Sequence, residues 1–448
     1  MTPFTPEHTP MHTAPLTAPR RPTRRRLVAG SAAATAALAM PAIVRAQSAP
    51  VELTVQYSIP VLFKDLMEQL AREFGAAHPN VKVVLRAPEE GYEQIMQRNL
   101  RDAITKTLPD VAFHGLNRQR TLLEREIPVD LKPFMDADPQ TKELGFSPTL
   151  LSLGQVGGRQ TGIGFALSTP ILYYNAALVK EAGGDPSKLP TTWEQVTKLA
   201  AAMHDPARNR TGMFFDWTIT GNWSWQGLVF SHGGAMMDPG ESRVAFADAP
   251  GMKAMRVLRS FVDEGRMPDI RPDTMFQDFF AGRMGCSMQS TAQLGRFNRE
   301  IGGRFPLVCA RYPISAADGR VPAGGNVAMM FARDPAKQKA AWDFIRFACG
   351  PVGATMMVKA TGYMPATTIP AQRKDMLADF YAANPNHLIS IRQQDAITGW
   401  YAFPGQNALR ITDVINDHLQ TVVARKETAD AVLARMGADV QKLVPPKA

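Results

Sequence analysis

The sequence predicts an α/β protein of two lobes. Strand and helix patterns alternate near the start of the chain. The 448 residues exceed the roughly 250–300 at which one hydrophobic core stops growing. The longest strand-like stretch, Thr161 to Asn175, is interrupted by Ser168-Thr169-Pro170 and begins a second mixed unit.

The elements of the first lobe follow in order. Residues 52–57 alternate apolar and polar side chains, which indicates a strand, and apolar residues recur every four positions in 62–74, which indicates a helix. A strand at 81–85, an amphipathic helix at 92–104 and a strand at 111–113 continue the alternation. This order predicts a parallel sheet with right-handed crossovers.

The rest of the chain predicts a second α/β unit and a helical end. Thr192 is a predicted N-cap before a run with one apolar face. Further helices are predicted at 251–264, 335–348, 410–424 and 428–442. The segment before the first predicted strand, residues 1–46, is a predicted leader.

Residues 1–46 have the pattern of a secretory signal peptide. A basic block at 20–26 precedes an uncharged, Ala-rich segment at 27–43 and a small-residue cleavage site at 44–46. The arginines at 24–26 are typical of the twin-arginine type. The uncharged segment is shorter than the about 20 residues of a usual membrane span, so a cleaved leader is favoured over an uncleaved anchor. The mature protein is expected in the periplasm.

The charge and cysteine content argue against a nucleic-acid interface and a zinc site. Six of the 50 basic and one of the 41 acidic residues lie in the leader, so the formal net charge of the mature chain is +4 rather than +9. A nucleic-acid interface needs a more concentrated positive charge. Cys286, Cys309 and Cys349 are an odd number, lie among apolar residues and match no zinc spacing, which predicts buried thiols.

The chain contains no catalytic or cofactor motif of the GxxxxGK[ST], GxGxxG, HExxH or GxSxG types, and no cofactor is predicted. Two carboxylates that act together cannot be identified without a fold, so an exported hydrolase of the glycosidase kind remains an alternative. An exported, two-lobed chain without a catalytic motif favours binding over catalysis.

A series of local motifs runs through the predicted mature chain. They are Asn80-Val81-Lys82-Val83, Gly91-Tyr92-Glu93-Gln94, the run LSTPILYYN at 167–175, Thr192-Trp193-Glu194, Gly324-Gly325 and the run TGYMP at 361–365. Together they resemble the family 1 extracellular solute-binding proteins of ABC importers, and most of all the members that bind glycerol-3-phosphate. The resemblance implies a two-lobed periplasmic-binding-protein fold, with a mixed, mostly parallel sheet in each lobe, that closes about its hinge on a ligand in a cleft between the lobes. It implies a first lobe at 47–167, a second lobe at 168–305, a return to the first lobe at 306–350, and a helical end at 351–448 that packs mainly on the second lobe. It also implies no catalysis, and a monomer that delivers a small solute to permease subunits.

The resemblance implies that two tyrosines and a serine contact the ligand. Tyr92 lies in a turn at a helix start, where N–H groups and a phenol can meet an anion. Tyr363 lies in a loop fixed by Gly362 and Pro365, and Ser168 lies at the strand break. The alternatives are a packing role for Tyr92 and local backbone hydrogen bonds for Ser168.

The resemblance also implies roles for Ser290, Thr291, Trp223, Trp225 and Gly325. The two hydroxyls lie in a turn that could equally cap a helix. The indoles suit the C–H face of a polyol or sugar, although residues at i and i+2 point apart in an extended segment, so one could belong to the core. Glycine allows the backbone to approach the ligand, or forms a plain turn.

Two arginines are candidates for binding a phosphate. The resemblance implies this role for Arg392 and, less directly, for Arg410, because Thr412 aligns better with the second arginine of the family. A guanidinium binds phosphate oxygens bidentately, which lysine cannot do. The alternative is a solvent-facing or ion-paired side chain.

One position departs from the resemblance. Leu116 stands where the glycerol-3-phosphate binders have a glutamate, and Asn117 or His114 could take its place. The leading prediction is therefore an ABC-importer binding protein for glycerol-3-phosphate or a glycerophosphodiester. The same role for a sugar, oligosaccharide or polyol is the first alternative, and an exported hydrolase is the second.

Overall fold

Two sheets organise residues 50–446, the part of the chain that this computed structural model describes. The expected leader lies outside the described residues. The strands are β1 Val51–Gln56, β2 Val81–Leu85, β3 Val111–Gly115, β4 Gln155–Val156, β5 Arg159–Gln160, β6 Ile163–Ser168, β7 Pro170–Asn175, β8 Thr211–Phe215, β9 Met284–Ser290, β10 Leu307–Arg311, β11 Val321–Pro322, β12 Gly324–Met330 and β13 Ile397–Thr398.

The α-helices of the described residues match the predicted pattern closely. They are α1 Pro60–Ala77, α2 Tyr92–Thr105, α3 Gln119–Leu123, α4 Lys132–Ala137, α5 Pro148–Ser152, α6 Ala176–Glu181, α7 Trp193–Met203, α8 Trp223–Ser231, α9 Ala249–Asp263, α10 Pro272–Phe280, α11 Leu294–Ile301, α12 Pro335–Cys349, α13 Pro351–Ala360, α14 Ile369–Gln372, α15 Ala378–Ala383, α16 Ile389–Arg392, α17 Ala408–Val423 and α18 Ala429–Gln441. Short 3₁₀ helices include Leu116–Arg118, Thr220–Asn222 and Thr291–Gln293. None of the helices within 50–446 is long and apolar enough to cross a membrane.

The first lobe contains the five-stranded sheet β2-β1-β3-β12-β6. β1 is parallel to β2 and to β3, as the strand–helix alternation predicts. β12 is antiparallel to β3 and to β6, because it enters the sheet from the other lobe rather than through a βαβ crossover. Helices α1 and α12 bury apolar faces against this sheet, and α13 packs on α1.

The second lobe contains the four-stranded sheet β10-β7-β9-β8. β8 is parallel to β9, whereas β7 is antiparallel to both of its neighbours. Both sheets are thus mixed, as expected, but the mostly parallel character predicted for each sheet is limited to β2-β1-β3 and β8-β9. Helices α7 and α9 pack on this sheet, and α17 and α18 pack on α9.

The chain crosses between the lobes three times. The first crossing is at Thr169 between β6 and β7, the second runs from Tyr312 to Ala323, and the third lies between α15 and α16. β10 still belongs to the second sheet, so the return to the first lobe begins after Arg311 rather than at residue 306. In the helical end, α13 packs on the first lobe, whereas α17 and α18 pack on the second.

The three cysteines are all unpaired. Cys286 and Cys349 are buried, and Cys309 is partly exposed in β10. Burial raises the pKa of each thiol well above its ordinary value. The thiols are therefore protonated and act as small apolar groups in the core.

Candidate ligand-binding site

Two of the predicted tyrosines meet on the first lobe. Tyr92 is the first residue of α2, and its hydroxyl lies 3.5 Å from the hydroxyl of Tyr363 and accepts a hydrogen bond from Asn326 Nδ2 at 3.2 Å. Burial raises the pKa of both phenols, so both are neutral hydrogen-bonding groups. The Tyr363 ring stacks on Phe63 with ring centroids 5.6 Å apart.

The hinge places Tyr363 beside Ser168. Leu167 and Met364 exchange two backbone hydrogen bonds, at 3.0 and 2.7 Å, which hold the loop after α13 against the end of β6. Ser168 is buried, and a Cβ built on Gly324 would lie 2.7 Å from its hydroxyl. The strand break predicted from the sequence therefore lies next to the tyrosine pair.

The turn after β3 brings two polar residues to the same region. Asn117 and Arg118 are both buried at the end of the 3₁₀ helix Leu116–Arg118. Arg118 Nη2 donates to Thr220 Oγ1 of the second lobe at 3.3 Å. His114 points elsewhere, since its Nε2 pairs with Asn99 at 2.8 Å, and burial together with Arg118 lowers its pKa to about 3.

The second lobe contributes a tight turn opposite Asn117. Gly221 has φ 65° and Asn222 has φ 55°, and a Cβ on Gly221 would lie 2.3 Å from Asn117 Nδ2. Only glycine allows this approach without displacing the neighbouring side chain. Asn222 Nδ2 donates to Thr412 O and to Asn416 Oδ1, at 2.8 and 2.9 Å, which fixes the turn on α17.

Two indoles complete the second-lobe wall. Trp223 Nε1 donates to Ala323 O at 3.1 Å, and a Cβ on Gly324 would lie 2.9 Å from Trp223 Cζ2. The ring of Trp400 lies 6.1 Å from that of Trp223 and 6.4 Å from that of Tyr92, between centroids. Aromatic rings of both lobes thus surround the polar groups; we call this set, Tyr92, Asn117, Arg118, Ser168, Asn222, Trp223, Asn326, Tyr363 and Trp400, the cleft cluster.

The cleft cluster contains buried polar atoms that no protein atom satisfies. They are Asn117 Oδ1, Asn222 Oδ1, Asn326 Oδ1 and Arg118 Nε. Native interiors leave few such atoms, because each one costs about 1–3 kcal/mol. Their concentration where the lobes meet indicates a place for hydrogen-bonding groups of a ligand.

Gly325 lies in β12 next to Asn326. Its φ is 96°, and a Cβ there would lie 1.9 Å from Ala166 O on β6. The pairing shifts register between Asn326 and Val327, which directs the Asn326 side chain to Tyr92. Glycine at this position is therefore required by close packing of two strands under the cleft cluster.

Thr291 takes part in a hydrogen-bonded group at the crossings. Its hydroxyl accepts from Thr169 N at 3.3 Å and from Ser390 Oγ at 3.0 Å. Gln393 Nε2 donates to Thr169 Oγ1 and to Pro170 O, and Gln393 Oε1 accepts from Tyr312 N at 3.3 Å. We call this set, Thr169, Thr291, Tyr312, Ser390 and Gln393, the hinge network, because it joins all three crossings.

Besides Gly325, which packs under the cleft cluster, four other predicted site residues lie outside it. Ser290 caps the following 3₁₀ helix, its Oγ accepting from Ala292 N at 3.2 Å, and Thr291 belongs to the hinge network. Arg392 and Arg410 are exposed to solvent. The neighbouring Gln393 is the residue that turns inward after α16, and position 412, not 410, is the position of α17 that meets Asn222.

Trp225 is the sixth predicted residue outside the cluster. Both tryptophans lie at the start of α8, where residues two apart point to nearly opposite sides of the helix. Trp223 therefore faces the cleft, and Trp225 packs in the second-lobe core against Phe246, with centroids 6.3 Å apart. The sequence analysis assumed an extended segment, in which Trp223 and Trp225 would point to opposite sides. The segment is a helix, but the two rings still point to nearly opposite sides.

Arg118, Asn222, Asn326 and Trp400 were not among the predicted site residues. Arg118 lies three residues after the buried strand Val111–Gly115. Ligands of open α/β sheets lie at the carboxyl ends of strands, so the position of Arg118 is a signal in the sequence. Asn222, Asn326 and Trp400 carry no local signal, because they reach the site through long-range contacts.

A second contact joins the lobes at the rim of the cleft. Arg120 Nη1 and Nη2 donate to the two carboxylate oxygens of Glu241, each at 2.6 Å, and Tyr401 Oη donates to Glu241 Oε1 at 3.0 Å. Arg120 lies on α3 of the first lobe, and Glu241 lies in a turn of the second lobe. We call this set the rim clamp.

Comparison with known proteins agrees with the cleft between two lobes. A family model described as bacterial extracellular solute-binding protein matches residues 69–388, more than half of the chain. This chain belongs to that family. The resemblance stated from the motifs is thereby confirmed.

Individual relatives are distant in sequence but extend over most of the chain. The sn-glycerol-3-phosphate-binding periplasmic protein UgpB of Pectobacterium atrosepticum is 23% identical over 82% of this chain and 85% of its own length. The protein of the same name from Escherichia coli K12 is 23% identical over 82% and 86%.

Solved structures share the fold. UgpB from Mycobacterium tuberculosis in complex with glycerophosphocholine has a TM-score of 0.76 at 19% identity, covering 88% of this chain and 98% of that chain. A cyclic alpha-maltosyl-1,6-maltose binding protein from Arthrobacter globiformis has a TM-score of 0.73 at 21% identity, covering 88% and 99%. The predicted two-lobed α/β fold class is confirmed.

Proposed function

We propose that this chain is the periplasmic solute-binding component of an ABC importer, and that it captures glycerol-3-phosphate or a glycerophosphodiester for delivery to permease subunits. The observation that carries the proposal is the cleft cluster, in which three buried amide oxygens and the Nε of Arg118 lack protein partners. Membership of the solute-binding family supports the role, and the names of the relatives support the ligand class.

Binding follows from the groups in the cleft cluster. The hydroxyls of a glycerol unit donate to the unpartnered amide oxygens, and its C–H faces pack on the rings of Trp223 and Trp400. A ligand that satisfies both walls favours the closed arrangement over an open one by its differential affinity for the two. No chemical step is involved.

A sugar, oligosaccharide or polyol is the second candidate ligand. The aromatic walls favour it, and so does the exposure of Arg392 and Arg410, the two arginines predicted to bind phosphate. An exported hydrolase is less well supported. The cleft cluster consists of aromatic, amide, hydroxyl and guanidinium groups, whereas glycoside hydrolysis requires a pair of carboxylates.

A thermal-shift panel tests the proposal. The purified protein is heated with glycerol-3-phosphate, glycerophosphocholine, glycerophosphoethanolamine, maltose, trehalose or glycerol. A ligand at about 100 times its Kd adds about 2.7 kcal/mol to the free energy of unfolding, which raises Tm by several degrees. A shift with the phosphates alone supports the leading ligand class, and a shift with sugars alone supports the second. Product formation at turnover levels would contradict a binding role.

Export through the leader is part of the same proposal. The basic block and uncharged segment predict cleavage after Ala46, and arginines 24 and 25 predict the twin-arginine route. Cell fractionation tests this. Replacing both arginines by lysine is expected to retain the protein in the cytoplasm, and unchanged export would indicate the general secretory route.

A further inference from the structure

Arg118 is a buried arginine whose charge is poorly matched by the protein. The residue is 4% exposed, its Nε has no partner, and its one hydrogen bond goes to the neutral hydroxyl of Thr220 at 3.3 Å. The carboxylate of Glu93 is 4.0 Å from Nη2 and is itself 39% exposed, so it points partly to water.

The surroundings of Arg118 confirm this imbalance. Burial lowers its pKa, and the charges of Glu93 and Asp413 offset the effect only in part. His114 packs nearby but is neutral, because its pKa is lowered to about 3. A buried charge is strongly unfavourable unless a counter-charge and hydrogen bonds compensate it. The guanidinium is therefore compensated only in part, by a carboxylate at 4.0 Å that is itself partly exposed.

The other arginines near the cleft are accounted for differently. Both carboxylate oxygens of Glu241 already bind Arg120 in the rim clamp. Arg392 and Arg410 face solvent. Arg118 is the arginine of the cleft cluster, and it lies beside Asn117 Oδ1, an unpartnered acceptor suited to a hydroxyl group.

We propose that Arg118 binds the anionic group of the solute, and that this group is the phosphate of an organic phosphate whose hydroxyls meet the neighbouring amides. The inference deepens the proposed function and rests on it. The planar fork of Arg118 offers two parallel N–H bonds to phosphate oxygens, and Thr220 holds the fork at the lobe boundary.

Isothermal titration calorimetry tests the inference on the purified protein. Wild-type protein is titrated with glycerol-3-phosphate, glycerophosphocholine, glycerol and maltose, and the same is done for Arg118→Met, Arg118→Lys and Arg392→Met. Arg256→Met is the matched control, because Arg256 is an exposed arginine that is ion-paired with Asp430. Thermal melts without ligand report whether each variant is folded.

The inference expects wild-type protein to prefer glycerol-3-phosphate over glycerol by at least about 30-fold, the effect of charge-assisted hydrogen bonds. Arg118→Met should remove most of that preference, Arg118→Lys should restore part of it, and Arg256→Met should change nothing. The preference of the wild-type protein for glycerol-3-phosphate over glycerol is measured without any variant. Its absence would contradict the inference even if Arg118→Met does not fold.

Three results would overturn the inference. The first is equal loss of affinity for all ligands in Arg118→Met, which would mean that Arg118 only joins the lobes. The second is loss of the preference in Arg392→Met instead. The third is binding of maltose or glycerol with no binding of phosphates, which would leave the solute-binding role intact. Failure of every compound to bind would count against the proposed ligand classes as well.

Discussion

The rim clamp predicts that the closed arrangement of the lobes can be weakened without touching the cleft cluster. Replacing Glu241 by Gln removes the carboxylate that accepts two hydrogen bonds from Arg120 and one from Tyr401. The amide keeps the size of the side chain, so the turn that carries it should be unchanged. The perturbation therefore acts on the contact between the lobes.

The magnitude follows from exposure and geometry. The side chains of Arg120 and Glu241 are 27% and 34% exposed, so solvent screens the pair, and exposed pairs contribute about 0.2–1 kcal/mol. The bidentate geometry and the phenol raise this, while Arg120 keeps its bond to Glu124 at 3.0 Å in the variant. We expect a loss of about 1–1.4 kcal/mol, which weakens ligand binding about five- to tenfold if the ligand-free protein is mostly open.

The assay is stopped-flow dissociation together with equilibrium titration of the ligand that the panel identifies. The loss should appear mainly as faster dissociation, because changes within one binding interface act mostly on the dissociation rate. Glu427→Gln is the matched control, since Glu427 binds Arg435 at 2.7 and 2.6 Å within the second lobe. Affinities equal within twofold for Glu241→Gln and wild type would refute the reasoning.

The pH dependence gives an independent check on the clamp. The hydrogen bonds from Arg120 hold the pKa of Glu241 below its ordinary value in the closed arrangement. The carboxylate contributes fully above the ordinary glutamate pKa of about 4.3 and loses its contribution as the pH falls through the lower, closed-state pKa. The affinity ratio of wild type to Glu241→Gln should be constant from about pH 8 to 5 and approach one only at more acidic pH.

Three further predictions concern packing. Gly325→Ala should lower the free energy of unfolding by about 2–4 kcal/mol, measured by denaturant titration, because the new Cβ would lie 1.9 Å from Ala166 O at a positive φ; an unchanged midpoint would show that the strands can separate freely. Trp223→Ala should abolish most ligand affinity, measured by titration, whereas Trp225→Ala should lower the free energy of unfolding by about 3–5 kcal/mol. Similar effects of the two changes on affinity and on stability would contradict the placement of the two rings on opposite sides of the helix. Thr291→Val should lower the free energy of unfolding by about 1–3 kcal/mol, measured by thermal melts, because Thr169 N–H loses its acceptor. A loss of ligand affinity at unchanged stability would indicate instead that Thr291 contacts the ligand.

Local signals in the sequence predicted the elements because those signals are short-range. The strand at 81–85 and the N-cap at Thr192 coincide with the structure, and α2 begins at Tyr92, where the sequence places the helix start. The direction of β12 was not predictable in the same way. It depends on a strand that enters its sheet from the other lobe, and no pattern within residues 324–330 records that route.

The candidate site was predictable to a similar depth. The resemblance named Tyr92, Ser168, Trp223 and Tyr363 as candidate site residues, each beside a local break or helix start, and the structure places the four close together. The resemblance did not distinguish a residue whose side chain faces the cleft from a residue one or two positions away whose side chain does not. Helix phase decides between positions 410 and 412, and phase depends on which face of α17 packs on the lobe.

The chemical make-up of the hinge network affects how easily the two lobes can rotate relative to each other. Its members are mostly hydroxyl and amide groups, and hydroxyls can rotate to keep their partners while the segments that carry them turn. Bending at such a joint costs little, so without solute the balance between the closed and open arrangements is set by other contacts between the lobes, the rim clamp among them. A substitution in the rim clamp would then change the affinity for the solute without changing any atom that contacts it. Natural selection, or a designer of a biosensor, can therefore adjust affinity and specificity separately.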